Sequence, residues 1–246
     1  MKGHSGHKPG KKLSRYFLIA VALSLAVVLI FKLSGPSLLK LYIKSGIGSC
    51  EEIPILCMTP HEDINTSGLT PQLADSFLPY EFEKMEIRIP KGFCVIQETV
   101  KKVYYKRKSR QEKVPTVYLL YKPPDFFIGL FPQLRKYGIA DNYNFIRHTM
   151  YASLPGVQNI IDTFFVIMKG IFIPDLGDQR NVKMARFSLG SRKGFINYNL
   201  SGEEQFFDCN VVDAKDGFFK IYIKDIRGKL DLDSVLAMIS TARSRE

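Results

Sequence analysis

An uncharged apolar run from Tyr16 to Phe31, preceded by Lys2, Lys8, Lys11, Lys12 and Arg15 and followed by Lys32, constrains this chain more than any other passage. At about 1.5 Å of rise per helical residue the run crosses most of a hydrocarbon core roughly 30 Å thick, and Lys32 can snorkel to the far interface. The tail ahead of it holds five cations and no acid, so charge asymmetry keeps the amino end in the cytoplasm. The expected layout is a basic cytoplasmic tail over 1–15, a transmembrane anchor over 16–33, a juxtamembrane stalk over 34–80 and a globular domain over 81–246. The domain then sits outside the cytoplasm, held at the cell membrane by a single pass. A cleaved secretory signal is the competing reading. Against it, Leu33-Ser34-Gly35-Pro36 offers no A-x-A cleavage pattern.

The formal net charge of +11 suggests nucleic acid until it is located. Residues 1–15 supply five of the excess cations, and residues 101–113 hold seven Lys and Arg against Glu112, so the remainder sums to zero. The second patch comprises Lys101, Lys102, Lys106, Arg107, Lys108, Arg110 and Lys113, interleaved with Tyr104 and Tyr105. It falls between two strand-like runs, 93–105 and 114–121, and reads as the cationic tip of a long hairpin. Such a tip attracts an anionic surface or partner, at about 1 kcal/mol per cation near anionic lipid. A purely structural role, blocking edge-to-edge sheet pairing, competes with that reading.

Periodicity organises the rest. Met85, Ile87 and Ile89 alternate with Glu86 and Arg88 as a half-buried strand, closed by Pro90-Lys91-Gly92. After Pro123-Pro124 the period becomes helical. Asp141 can cap a helix through Ala152, and Val157, Ile160, Ile161, Phe164, Phe165, Met168, Ile171 and Phe172 recur at three and four spacing. Asp162 and Lys169 are expected on the solvent side of that second helix, which makes it the main core helix. The apolar run Phe126 to Phe131 is expected to be buried, with a membrane-dipping loop as the alternative. Four strands then follow over 182–189, 194–200, 205–212 and 217–224, and a closing helix is capped by Asp231 or Asp233.

Four cysteines, Cys50, Cys57, Cys94 and Cys209, lie in a part expected to face an oxidising compartment. Cys50 and Cys57 are near enough in sequence for a small disulfide clasp; three connectivities are open. No zinc spacing, phosphate loop or nucleophile–histidine arrangement is evident, so no cofactor, metal or catalytic residue is assigned. His61-Glu62-Asp63 reads as a solvated turn, and His148 as a surface or boundary residue of its helix.

The order of a hairpin, helices, antiparallel strands and a last helix resembles the αβα sandwich of the PsbP-like superfamily over roughly residues 80–245. Ile87-Arg88-Ile89-Pro90-Lys91-Gly92-Phe93 looks like that group's opening strand and turn, and Phe218 to Ile223 followed by Leu236 to Ala242 looks like its last strand and helix. The resemblance implies an α+β fold, one antiparallel sheet with helices packed on it. Known members are mostly non-catalytic, among them photosystem-associated extrinsic proteins, bacterial lipoproteins and a Ran-binding import factor, and the resemblance carries over no functional residue. The function expected is a non-catalytic, membrane-anchored binding or assembly protein outside the cytoplasm. Its partners are the lipid bilayer through 16–33 and an envelope protein or anionic polymer at 101–113. An envelope enzyme is the alternative, and an adaptor for an acidic protein or nucleic acid a second one, which the topology disfavours.

Overall fold

The computed structural model describes residues 34–64, 71–97, 115–173, 181–201, 205–226 and 228–245. Among the described residues no helix is long and apolar enough to cross a membrane, which overturns the expected fold of a transmembrane helix followed by one antiparallel sheet. The run 16–33 itself lies outside the described residues.

The domain is α+β, with two sheets. The larger has seven strands: β1 (Glu62–Ile64), β4 (Cys94–Gln97), β5 (Thr116–Lys122), β6 (Lys183–Leu189), β7 (Arg192–Asn199), β8 (Gln205–Val212) and β9 (Phe218–Asp225). They lie in the order β1-β6-β7-β8-β9-β5-β4. The smaller sheet orders β10 (Arg243–Ser244), β3 (Met85–Ile89) and β2 (Leu78–Phe82) as β10-β3-β2. The β6-to-β9 run is an antiparallel meander, but both edges of the large sheet pair in parallel: β1 with β6, and β4 with β5. The large sheet is therefore mixed, where an antiparallel one was expected.

The β4–β5 pairing also removes the expected hairpin. Cys94 faces Thr116 and Gln97 faces Leu119, both strands running the same way. Antiparallel strands can be joined by a tight turn, whereas parallel ones require a crossover of a dozen or more residues. The two strands that flank the basic patch are therefore not the arms of an antiparallel hairpin, and residues 98–114 themselves lie outside the described residues.

Three layers result. On one face of the large sheet lie α2 (Phe126–Leu130), α3 (Asn142–Tyr151) and α4 (Ile160–Phe172). Phe127, Phe145 and Phe165 from these helices meet Phe195, Val212 and Phe218 from the strands, and Phe127 stacks on Phe145 with centroids 4.5 Å apart. On the other face α5 (Leu232–Thr241) and the small sheet close over Leu119, Ile196, Phe207, Cys209 and Ile221 through Val235, Leu236, Ile239, Met85 and Ile87. Period-two alternation along β5 and β9 serves both layers at once: Phe219, Ile221 and Ile223 go to the α5 side, and Phe218 to the other.

Helix starts are chemically marked. Asp141 accepts from Asn144 N, Asp231 accepts from Ser234 N, and Asn159 and Asp162 form a reciprocal capping box on α4. Gly194 leaves no room for a side chain between β7 and β8, since a Cβ there would stand 2.0 Å from the Asn210 carbonyl oxygen. Residues 34–64, expected as stalk and linker, pack into the domain instead. A helix over 34–46, here α1, buries Ile43 with Leu56, Leu154, Val157 and Val166, and β1 extends the large sheet.

Candidate functional site

The seven cations expected to bind an anionic partner, Lys101, Lys102, Lys106, Arg107, Lys108, Arg110 and Lys113, lie outside the described residues. The described polar chemistry concentrates elsewhere, on the helix-facing side of the large sheet.

Strand register sets it out in two rows. Met184, Asn197, Asp208, Tyr222 and Tyr118 stand side by side across β6, β7, β8, β9 and β5. In the next row Arg186, Phe195, Asn210 and Lys220 do the same. Asn197, Asp208 and Asn210 are fully buried. A buried carboxylate is tolerated only if charge and hydrogen bonds compensate it. Asn197 Nδ2 donates to Asp208 Oδ2 at 3.1 Å. Lys220 Nζ stands 2.5 Å from Asp208 Oδ1, an ion pair whose angle makes no hydrogen bond. Lys220 also donates to Asn210 Oδ1 and to the Phe172 carbonyl, one of the last carbonyls of α4, where a cation suits the helix dipole. Two amide atoms, Asn197 Oδ1 and Asn210 Nδ2, have no hydrogen-bond partner among the described residues. The rim is aromatic, with Tyr118 and Tyr222 5.6 Å apart. This floor can offer one acceptor and one donor, while its charges neutralise each other.

A second buried charge sits on α4. Lys169 is completely buried, and its ammonium donates to the carbonyls of Met58 (2.5 Å), Met150 (2.9 Å) and Ala152 (2.8 Å). Burial pushes its pKa down to about 7. All three of its N–H groups are used to tie α4 to the end of α3 and to the segment before β1. That segment is clasped by the Cys50–Cys57 disulfide, and Ile47 comes so close to α4 that a Cβ on Gly170 would stand 3.4 Å from Ile47 Cγ2. Lys169 was expected on the solvent side of α4. It faces inward because these carbonyls, freed where α3 ends and where no strand has yet begun, have no backbone donor of their own.

Several other titratable groups among the described residues serve architecture. Asp216 accepts from the backbone N–H groups of Asn142 and Asp125, and Asn142 bonds to Phe127 N, Pro123 O and Asp216 O; burial pushes the Asp216 carboxyl up. Together they join the starts of α2 and α3 to the β8–β9 turn. His61 lies 3.7 Å from Glu62, while Asp63 pairs with Arg186, which holds the Asp63 carboxyl below its usual value. His148 bonds to the Asn144 carbonyl one turn back. Cys94 and Cys209 are free thiols; Cys209 is buried, which pushes its pKa well up. Phe127 and Ile128 are buried, so the 126–131 run contributes mainly to the core. Among the described residues no cluster of His, Cys, Asp and Glu could hold a metal ion.

Sequence reasoning missed Asn197, Asp208, Asn210 and Lys220. The signal that would have found them is polar residues at inward positions of otherwise apolar strands: in Phe206-Phe207-Asp208-Cys209-Asn210-Val211-Val212 the polar side chains share a face with Phe206 and Val212. No protein family, curated protein or solved structure matches this chain.

Proposed function

We propose that this protein is a binding or assembly module that works outside the cytoplasm in association with a membrane. The observation that carries the reading is the Cys50–Cys57 disulfide, which closes the segment leading from α1 into the sheet. Disulfides persist in oxidising compartments and are rare where thiols are kept reduced. The apolar run at 16–31 enters the described chain through α1, and its flanking cations favour retention of the amino end in the cytoplasm. The interior charges support binding over catalysis, since Lys169, Lys220, Asp208 and Asp216 are each engaged by internal partners. An anionic surface or partner at 101–113 belongs to the same proposal, as does kinship with the PsbP-like superfamily.

Thiol labelling of the full chain in intact cells and spheroplasts tests this. Cys50 and Cys57 should react with a membrane-impermeant maleimide only after external reductant is added. With adducts mapped by residue, since Cys94 is a free thiol, labelling of Cys50 or Cys57 without reduction, or only after the cytoplasmic membrane is opened, would refute the compartment. Charge reversal at Arg107, Lys108 and Arg110 should weaken binding to vesicles rich in anionic lipid; unchanged binding would remove the basic patch from the proposal.

A further inference from the structure

α4 is apolar on its outward face as well as on the face it packs into the core. A helix on a protein surface normally turns its charges to water and its apolar stripe to the core, and one that is apolar all round is buried. In α4 the one lysine faces inward onto three carbonyls, and Asp162 is consumed in the capping box. The outward positions are Ile160, Phe164, Ile167 and Ile171, spaced four, three and four apart, so they fall on one face. Ile160 and Ile171 are 66% and 54% exposed, while Phe164 leans on Phe131 and is half-buried. No charge interrupts the stripe.

Beside it lies α1, packed on α4 through Ile43 and Val166. Its own outward face carries Leu38, Leu41 and Tyr42, each more than half exposed, with Lys40 and Lys44 flanking. α1 begins at residue 34, directly after the uncharged run 16–31 and Lys32. The 33 residues that precede the described structure therefore lead in sequence into the helix that packs against α4.

We propose that the outward faces of α4 and α1 rest together in the interfacial region of a lipid bilayer. This rests on the proposed membrane association, and it assigns that contact to the folded domain. An apolar face edged by lysines and a tyrosine is the pattern by which helices lie in a membrane interface, with cations at the headgroups and Tyr at the polar–apolar boundary. A second copy of the chain is the weaker occupant: stable protein interfaces bury about 800 Å² per partner from roughly 20–30 residues, more than these short helical stripes present. The run 16–31 folding back over α4 is the remaining rival.

The test is photocrosslinking of the full-length protein reconstituted in vesicles of phosphatidylcholine and phosphatidylglycerol carrying a diazirine-acyl phospholipid, with adducts mapped by mass spectrometry. The expected result is lipid adducts at Ile160, Ile167 and Ile171 and at Leu38 or Tyr42, in addition to any within 16–31. In Ile160→Glu/Ile171→Glu the α4 adducts should fall at least about tenfold, the factor that corresponds to losing 1.4 kcal/mol of interfacial affinity. Adducts confined to residues 1–33 would overturn the proposal. So would a photoactivatable residue placed at Ile171 that crosslinks to a second copy or to the 16–31 run in place of lipid. The wild-type map decides even if the double variant fails to fold. Cysteine labelling from outside with no α4 adducts would refute this face and leave the compartment standing; α4 adducts with cytoplasmic cysteines would do the reverse.

Discussion

Lys169 should make the stability of this protein rise with pH across the range where most proteins are flat. Its pKa is about 7 in the folded chain against 10.5 for an ordinary lysine, because burial disfavours the ammonium. Below pH 7 both states carry the proton, and folding bears the full cost of a buried cation. Between 7 and 10.5 the unfolded chain binds a proton that the folded chain does not, so the free energy of unfolding increases with pH, by roughly 1.4 kcal/mol per unit. From pH 6 to pH 9 that amounts to about 3 kcal/mol, a rise of roughly 6–12 °C in Tm for a domain of this size. Three carbonyls oppose the effect: their dipoles point at the nitrogen and favour the ammonium. The assay is urea unfolding of wild type and Lys169→Met at pH 6, 7.5 and 9. Wild type should gain about 3 kcal/mol, and the Met variant should be flat, which separates Lys169 from the histidines and free thiols. A wild type as flat as the variant would show that the carbonyls hold the charge and that desolvation loses. An identical slope in both would place the titration in another group.

Two further perturbations probe the same architecture. Lys220→Met strips the cation from Asp208, leaving a fully buried carboxylate with only Asn197, and should cost roughly 3–5 kcal/mol in urea unfolding. The double variant Lys220→Met/Asp208→Leu should recover most of that loss, and equal costs would mean the pair is not coupled. Cys50→Ser/Cys57→Ser opens a loop of sequence separation 7 and should cost about 2–3 kcal/mol by chain entropy. Reductant should then no longer affect the variant, whereas a wild type insensitive to reductant would refute the clasp's role.

Local chemistry was legible in the sequence where one residue acts on its near neighbours. The caps at Asp141 and Asp231 follow from side-chain oxygens placed just ahead of helical periods. The β6–β9 strands follow from β-branched and aromatic runs broken by turn residues, and their short connections leave antiparallel pairing as the only geometry. The floor at Asn197, Asp208 and Asn210 was not legible as a site, since it exists only once three strands are in register and residues far apart in sequence become neighbours. The β4–β5 relation failed for a related reason. Two strand-like runs separated by a polar stretch satisfy a hairpin and a crossover equally; in the fold β9 takes one edge of β5 in antiparallel register and β4 the other in parallel.

α4 shows the limit of periodicity most directly. Lys169 and the isoleucines define opposite faces of the helix, but a helical wheel does not say which face meets water. The usual assignment assumes that a charge costs more to bury than a row of isoleucines costs to expose. Here that assumption is reversed by three carbonyls, from Met58, Met150 and Ala152, which would themselves lack a donor if the lysine turned outward. Satisfying them brings the cation in and leaves Ile160 and Ile171 on the outside, an arrangement that is costly in water and not in lipid. The internal hydrogen-bond balance of α3, α4 and the disulfide segment, which sequence periodicity does not register, thus produces the apolar exterior on which the proposed membrane contact depends.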